Sequence, residues 1–218
     1  MEEEIEEEMR KFNNLIDKET AKLLILEKKH QIKRMKIKEI KSGSIALYAK
    51  IMDFVEKQKD RASLIIGDET GYCILKLWHH NVKIANFLKI GDVIKVANGW
   101  AKESYYGIEI NVGKFGMIEK VNKDICPEYG IKDGLFCLMG KLRKVFPTEI
   151  YFENGKEKFV KKILVDENEI YFVDEKIREM KKFCEGDKIV IFWLYKKGDK
   201  IYTTNFSRVK HLFSNHIL

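Results

Sequence analysis

The stretch LIIGDETGYCILKLW, residues 64–78, decides the fold of this chain. Apolar residues fill both of its ends, and the residues between them, 68–71, have the composition of a turn. The pattern predicts two strands, 62–67 and 72–78, joined by a tight hairpin. Alternation along the second strand divides its side chains between two sides. The core side receives Cys73, Leu75 and Leu77, and the outer side receives Ile74, Lys76 and Trp78.

On either side of this hairpin the sequence continues with the pattern of strands. From Ser42-Gly43 onward the apolar residues recur with a period of two rather than a helical period. The pattern predicts strands at 44–54, 93–102 and 108–115, and a short helix at 80–88. Three strands, one helix and two strands form the order of an OB-fold, a partly open five-stranded barrel that binds oligonucleotides.

The same order returns in the second half of the chain. Its acidic turn begins at Asp166, 98 residues after Asp68, and its Gly-Asp turn begins at Gly186, 95 residues after Gly91. A repeat with matched internal landmarks is stronger than any single strand prediction. The predicted strands of this half are 134–146, 159–165, 170–173, 188–195 and 200–206, with a loop at 147–156 and a helix at 174–184.

Residues 1–40 contain no Pro or Gly and have the spacing of helices. One helical stripe is predicted at Ile5, Met9, Phe12 and Ile16. Asp17 has the chemistry of an N-cap, and a second helix is predicted to run from there towards Ile32. The pattern favours a small helical hairpin, and a frayed, solvated tail is the alternative. The expected fold is therefore mainly β with helices: a helical hairpin at 1–40 and OB-fold domains at 41–121 and 122–218.

The charge of the chain is concentrated in the two predicted barrels. The formal charge is +7, residues 1–40 are neutral, and the blocks 41–121 and 122–218 carry +3 and +4. Such a surplus of positive charge suits a phosphate-binding surface, but a Lys/Glu-rich surface of a thermophilic protein would produce it equally well. Lysine outnumbers arginine by 35 to 6, which suits backbone contacts more than bidentate reading of bases.

Several classes of protein are not expected from this sequence. No apolar run approaches the roughly 18 residues of a membrane span, and the first ten residues are too acidic for a secretory signal, so a cytoplasmic location is expected. The four cysteines form no C-x-x-C pair, which favours reduced thiols over a zinc site. No hydrolase or nucleotide-binding motif is present, so neither enzymatic activity nor a metal or cofactor is expected.

Three segments carry a resemblance to a known family. Residues 64–71 (LIIGDETG), 75–78 (LKLW) and 88–94 (LKIGDVI) resemble the DNA-binding OB domains of archaeal replication protein A. The resemblance is good over 41–121 and only topological in the second half. It implies a protein that coats single-stranded DNA in replication, recombination or repair. Single-stranded DNA and other replication protein A subunits or replication proteins are then the expected partners, with no membrane.

The predicted binding chemistry centres on Trp78 and Lys76. An outward Trp beside an outward Lys matches a base stacked on the ring with its phosphate near the ammonium. The alternative is that Trp78 folds under the helix as a barrel lid. Trp100 shares the parity of the core residues in its strand, and core packing is predicted unless Gly99 breaks the register.

The other predicted binding residues lie around the same groove and its counterpart. One of Tyr105 and Tyr106 is expected to bind and the other to pack, since adjacent side chains point apart. In the first barrel the set also includes Tyr48, Lys50, Lys57, Lys59 and Arg61. The last three lie in a loop that is expected to close over the strand as an electrostatic clamp, and a solvated charged hairpin is the alternative. In the second barrel it includes Lys141, Arg143, Lys196 and Lys197, with Tyr202 and Phe172 as further platforms unless they are core aromatics. The third predicted strand of the second barrel, 170–173, lacks the terminal Trp that the corresponding strand of the first barrel has at Trp78.

Two other functions agree with the same sequence. The chain could serve as an OB-fold protein-interaction subunit of a larger replication complex, or as an RNA-binding OB protein.

Overall fold

A computed structural model describes residues 2–28 and 34–212 of this mainly β chain. The chain divides into two compact units, Met1–Glu128 and Tyr129–Leu218. None of the helices within the described ranges is long and apolar enough to cross a membrane.

The first unit begins with two helices and continues with six strands. The helices are α1 (Glu2–Lys11), α2 (Lys18–Lys28) and the short α3 (His80–Ala85). The strands are β1 (Gly43–Lys57), β2 (Arg61–Asp68), β3 (Gly71–Trp78), β4 (Val93–Ser104), β5 (Gly107–Val112) and β6 (Met117–Val121). β1 pairs antiparallel with β2 and β4, β2 with β3, and β4 with β5 and β6, whereas β3 and β5 pair in parallel.

The second unit repeats these pairings with five strands. They are β7 (Leu135–Glu153), β8 (Lys156–Val165), β9 (Asn168–Val173), β10 (Lys188–Lys197) and β11 (Lys200–His211). β7 pairs antiparallel with β8 and β10, β8 with β9, and β10 with β11, whereas β9 and β11 pair in parallel. A 3-10 helix, Asp174–Lys182, occupies the place of α3.

Alternation along the strands supplies the core of each unit. Cys73, Leu75 and Leu77 lie in the first core, which confirms the predicted core side of β3. Ile74 was predicted to face outward and is nevertheless buried, as is Ile65, its register partner on β2. This part of the outer side of β2 and β3 is therefore not open to solvent.

One buried carboxylate holds the predicted acidic turn. Asp68 Oδ1 accepts hydrogen bonds from the Thr70 amide and hydroxyl at 2.7 and 2.6 Å and from the Gly71 amide at 3.2 Å. Asp68 Oδ2 accepts a fourth from the Ile37 amide at 2.8 Å. The turn is therefore confirmed, and the same side chain ties the segment before β1 to it.

The N-terminal helices pack against β4 and β6 of the first unit. The Asp17 carboxylate accepts a hydrogen bond from the Thr20 amide at 2.8 Å, which confirms Asp17 as the cap of α2. The predicted stripe packs in one cluster with Leu24 of α2, Ala97 of β4 and Met117 of β6. The predicted continuation of the second helix towards Ile32 falls on residues 29–33, which lie outside the described residues.

Each unit has a β-bulge at the same place in its fourth strand. In the pairing of β1 with β4, Leu47 faces Val96 but Ile45 faces Gly99, so β4 has one extra residue. In the pairing of β7 with β10, Ile191 faces Leu138 but Leu194 faces Phe136. The bulges contain Asn98 and Trp193, 95 residues apart, with φ of 52° and 61°. Because side chains alternate with a period of two, one extra residue reverses the sides that follow.

The predicted loop at 147–156 is wrong, because β7 and β8 continue through it as a long hairpin. Their pairing extends from Leu142–Val165 to Glu153–Lys156, and Asn154-Gly155 forms the turn with two positive φ angles. Asn-Gly is the strongest short hairpin signal, and the prediction overlooked it. Pro147 is tolerated because it lies at a register irregularity between Val145 and Thr148.

Three smaller predictions also change. The last strand predicted for the first barrel, 108–115, corresponds to β5, which ends at Val112. A sixth strand, β6, was not predicted, and it pairs with β4. The predicted helix at 80–88 ends at Ala85. The helix predicted at 174–184 is a 3-10 helix, in which i to i+3 contacts replace the α-helical ones.

Candidate nucleic-acid interface

Trp78 and Lys76 lie outside the first core and belong to one hydrogen-bonded network. The Trp78 ring is half-buried, and its Nε1 donates to Asn111 Oδ1 on β5 at 3.1 Å. Asn111 Nδ2 donates in turn to Glu109 Oε1 at 3.0 Å. The Lys76 ammonium lies 2.7 Å from Glu109 Oε2. The network runs along the outer side of β3 and β5 and fixes the orientation of the indole ring.

Trp100 is 59% exposed, so the prediction of core packing is wrong. The physical reason is the bulge at Asn98, which reverses the alternation of β4. Val96 lies in the core before the bulge, whereas Ala101 lies in the core after it. Trp100 therefore faces outward, in register with Asn111 on β5.

The two tryptophans lie on either side of Asn111. Trp100 pairs with it from β4 and Lys76 pairs with it from β3, so these partners are two strand spacings apart, about 10 Å. Trp78, two residues beyond Lys76, donates to the same amide. The outer side of β3, β5 and β4 thus presents two indole rings around one polar centre. We call the residues Lys76, Trp78, Trp100, Lys102, Glu109 and Asn111 the indole face.

Glu109 is the acidic member of the indole face and is only 6% exposed. A second lysine, Lys102, lies 3.2 Å from its Oε1. Burial raises the pKa of the Glu109 carboxyl, but hydrogen bonds from Lys76, Asn111 and Lys102 outweigh that effect and lower the pKa below its usual value. Two ammonium groups against one carboxylate leave a net positive charge beside the rings.

The tyrosines of the β4–β5 turn differ in exposure. Tyr105 is 69% exposed and Tyr106 is half-buried. Their rings meet edge to face with centroids 5.0 Å apart. The pair therefore presents the exposed ring of Tyr105 at the end of the hairpin.

The predicted basic loop between β1 and β2 is a tight hairpin with few uncommitted groups. The Lys57 ammonium donates to the Ala85 carbonyl at 3.2 Å and lies 3.9 Å from the centroid of the Phe54 ring. Arg61 is paired with Glu56 at 3.1 Å. Lys59 is exposed at the tip. The structure brings Arg61 next to Trp78 by register but does not gather the three basic groups into a clamp.

Tyr48 and Lys50 lie on β1, towards β4 rather than β3. The Tyr48 ring is flanked by Arg34 at 5.0 Å and Lys123 at 4.4 Å from its centroid. Tyr48 pairs in register with Lys95, and Lys50 is half-buried. Nothing in the pairing of strands brings these two residues to the indole face.

The four basic residues predicted in the second unit occupy two separate places. Arg143 lies 3.7 Å from Asp166, whose carboxylate also accepts from the Lys141 amide at 3.1 Å. Lys196 and Lys197 are exposed at the end of β10, where Lys197 pairs in register with Lys200 across the turn. Phe172 is fully buried in the second core, so its alternative as a core aromatic is the right one.

A row of tyrosines crosses the outer side of the second unit. Tyr195, Tyr202 and Tyr171 come from the adjacent strands β10, β11 and β9, and their ring centroids are 5.7 and 5.4 Å apart. Lys162 of β8 continues the row, since it pairs in register with Tyr171 and lies 4.4 Å from the centroid of the Phe146 ring. Lys200 lies 5.4 Å from the Tyr171 ring. We call Tyr171, Tyr195 and Tyr202 the tyrosine row.

The sequence contained signals for some of the residues that the prediction missed. Tyr195 lies two residues after the bulge residue Trp193, as Trp100 lies two residues after Asn98. The Asn98-Gly99 pair before Trp100 was a sign of altered backbone geometry. Lys102 and Asn111 had no such signal, because their role depends on the pairing of β4 and β3 with β5.

Comparison with known proteins gives one sequence relative and several structural likenesses. No family model matches the chain. The chain is 36% identical over 64 residues, 29% of its length, to a protein of Saccharolobus solfataricus named single-stranded DNA binding protein Ssb. The match spans only 41% of that relative. This relative supports the resemblance to archaeal replication protein A that residues 64–71, 75–78 and 88–94 indicated.

Two solved structures illustrate the structural likenesses. The second OB-fold domain of replication protein A from Methanococcus maripaludis is 28% identical, with 43% of this chain and 100% of that chain covered and a TM-score of 0.33. The replication factor A related protein from Methanobacterium thermoautotrophicum is 18% identical, with 41% and 92% covered and a TM-score of 0.38.

Proposed function

We propose that the chain is a single-stranded DNA-binding protein that holds bases on the indole face of its first unit. The observation that supports this most is the outward position of Trp100, which places an exposed ring across Asn111 from the half-buried ring of Trp78. Stacking on aromatic rings contributes roughly 1–3 kcal/mol per base and tolerates any sequence. The S. solfataricus relative, by its name, binds the same ligand.

The proposed architecture is the one expected from the sequence, two OB-type barrels preceded by a helical hairpin. The five pairings of β1 to β5 support it, since each of these strands pairs with two others of the set. The strands β7 to β11 pair in the same pattern. We propose domains at 1–40, 41–121 and 122–218. In this view the chain acts by binding alone and has no catalytic role.

Backbone phosphates would meet the lysines of the indole face. Lys76 and Lys102 both contact Glu109, so a phosphate would take over part of their hydrogen bonding rather than meet free ammonium groups. Tyr105, at the end of the same hairpin of β4 and β5, extends the stacking surface. Among the other residues predicted from the sequence, we propose supporting contacts for Arg61 and Lys59, and peripheral ones for Tyr48, Lys50 and Lys57.

In the second unit we propose that the tyrosine row takes part in binding. The rings lie on the outer side of β9, β10 and β11, and Lys162 and Lys200 lie beside Tyr171. Lys196 and Lys197 stand at the end of the strand that carries Tyr195. Lys141 and Arg143 lie on β7 around Asp166 and would contribute only charge.

A competition titration tests the proposal. A fluorescent oligo-dT is titrated with the full chain at several salt concentrations, against duplex DNA and single-stranded RNA as competitors. We expect tight binding of oligo-dT at low salt, weak competition by the duplex, and a logarithmic salt slope of about −0.7 for each phosphate engaged. Absence of binding to all three ligands at low salt would contradict the proposal, and preferential binding of RNA would replace DNA with RNA as the ligand.

The β7–β8 hairpin favours a second candidate function, that of a protein-interaction subunit. Ile150 and Phe159 pair in register on one side of this hairpin, and Phe152 follows them on the same side. These three side chains are 60%, 39% and 71% exposed. Exposed apolar clusters of this kind mark interaction surfaces. If the I150S/F152S variant binds oligo-dT as the wild type does but loses a co-purifying protein, the hairpin serves a partner rather than DNA.

A further inference from the structure

The bulge that turns Trp100 outward is held by a side chain from the N-terminal helices. Thr20, on α2, is fully buried, and its hydroxyl accepts a hydrogen bond from Asn98 Nδ2 at 2.7 Å. The same hydroxyl donates to the Phe115 carbonyl at 2.7 Å. Asn98 Oδ1 accepts from the Ser44 hydroxyl at 3.2 Å. The side chain of the bulge residue is thus fixed from both of its ends.

The loop before β6 closes over the same bulge. A Cβ atom on Gly116 would lie 2.7 Å from the Asn98 carbonyl oxygen, so only a glycine allows the loop to approach this closely. Asn81 Nδ2 donates to the carbonyls of Gly113 and Gly116, both at 3.0 Å, and holds the loop in place. Thr20 therefore joins three elements, α2, the bulge of β4 and the loop of residues 113–116.

In the second unit, two hydroxyl groups of the neighbouring strand contact the equivalent bulge. The Trp193 carbonyl accepts hydrogen bonds from the hydroxyls of Thr204 at 2.9 Å and Ser207 at 2.8 Å, both on β11. Both hydroxyl groups are buried. A positive φ at a non-glycine residue is uncommon and persists where the surroundings enforce it. In both units, hydroxyl groups from other elements contact the bulge residue. In the first unit they belong to Thr20 on α2 and Ser44 on β1, and in the second unit to Thr204 and Ser207 on β11.

We propose that the N-terminal helices position Trp100 for its ligand, with Thr20 as the positioning residue. Loss of the bulge would return Trp100 to the parity of Val96, on the core side. Loss of the hydrogen bonds from Thr20 would leave the bulge residue less fixed, and the indole ring two residues later would sample more orientations. This inference rests on the proposed function of the indole face.

Fluorine NMR of the chain labelled with 5-fluorotryptophan tests the positioning directly. The three signals belong to Trp78, Trp100 and Trp193, and W100F identifies the second. We expect T20V, which removes the hydroxyl and keeps the shape, to shift and broaden the Trp100 signal. We expect it to weaken oligo-dT binding by about threefold to tenfold, the effect of one or two lost hydrogen bonds. T20S, which keeps the hydroxyl, should have the Trp100 signal and the oligo-dT affinity of the wild type.

T204V is the matched control, because it removes a buried hydroxyl from the other bulge. It should move the Trp193 signal and leave that of Trp100 unchanged. Unchanged Trp100 signal and affinity in a folded T20V would overturn the proposal, and so would a moved signal with unchanged affinity. N98G, which accepts the positive φ but lacks the amide, serves if T20V does not fold, with the same expectations. If the wild type does not bind oligo-dT, the proposed function fails, while the fluorine signals still report whether Thr20 positions Trp100.

Discussion

The two units contain the same bulge and use it for different side chains. In the first unit the bulge residue is Asn98, a polar side chain held by Thr20 and Ser44, and the outward aromatic is Trp100 two positions later. In the second unit the bulge residue is itself a tryptophan, Trp193, which is 1% exposed, and the outward aromatic two positions later is Tyr195. In equivalent strands of the two units, a tryptophan is thus buried or exposed depending on a shift of two residues.

The outer sides of the two units also differ in how their aromatic rings are arranged. The indole face has two separated rings on either side of Asn111, with a buried carboxylate and two lysines beside them. The tyrosine row has three rings in contact with one another and its lysines at one end. Separated rings leave their faces to a ligand, whereas rings in contact cover part of each other. We therefore expect the first unit to contribute more of the binding free energy.

The largest expected effect is a difference in the stability of the fold between variants of Trp193 and Trp100. Trp193→Ala should lower the free energy of unfolding by about 3–5 kcal/mol, because it removes a fully buried aromatic side chain. Trp100→Ala should change it by no more than about 0.5 kcal/mol, as is usual for a surface position. Urea unfolding followed by circular dichroism measures both. Equal losses in the two variants would break the comparison.

The next effect concerns binding. Trp100→Ala and Trp78→Ala should each weaken oligo-dT binding by roughly 1–3 kcal/mol, the range for one stacked base. Phe87→Ala is the matched control, since Phe87 is an exposed aromatic outside the indole face. Fluorescence anisotropy of labelled oligo-dT measures all three variants. An equal loss in Phe87→Ala would show that the measurement reports general apolar contact.

A smaller effect is expected at the tyrosine row. Tyr202→Ala should weaken oligo-dT binding by about 1 kcal/mol, at the lower end of the range for stacking, because its ring contacts two others. Tyr151→Ala, on the β7–β8 hairpin, is the control for loss of an exposed tyrosine. If Tyr202→Ala weakens binding more than Trp100→Ala, the second unit is the main binding unit and the comparison must be reversed.

The smallest effect concerns the charge of the indole face. Glu109→Gln should strengthen oligo-dT binding by about twofold to fivefold, because Lys76 and Lys102 lose a competing carboxylate.

The same variant should change stability in acid. The folded-state pKa of Glu109 is lower than its usual value of 4.5. The ionised carboxylate therefore stabilises the fold at a pH above 4.5, and this stabilisation is lost as the pH falls through the folded-state pKa. The variant should lack this loss in acid. Thermal unfolding of both proteins from neutral to acid pH measures it, and parallel curves would exclude Glu109 as the titrating group.

Much of the framework could be predicted from local patterns. The core side of β3 followed from alternation at Cys73, Leu75 and Leu77, and the cap of α2 followed from the chemistry of Asp17. The long β7–β8 hairpin was also within reach, since Asn154-Gly155 is a local signal. These features depend on neighbours in the chain, and the sequence displays such neighbours directly.

The sequence by itself determined most of the succession of strands, the repeat with its matched turns and the core side of β3, because a period of two and a turn composition are properties of consecutive residues. Only the tertiary structure decided which aromatic rings face outward beyond the bulges. One extra residue reverses the side of everything after it, and the Asn98 bulge is held by a hydroxyl 78 residues away in the chain. Likewise, Glu109 meets Lys76 and Lys102 only because β5 lies between β3 and β4.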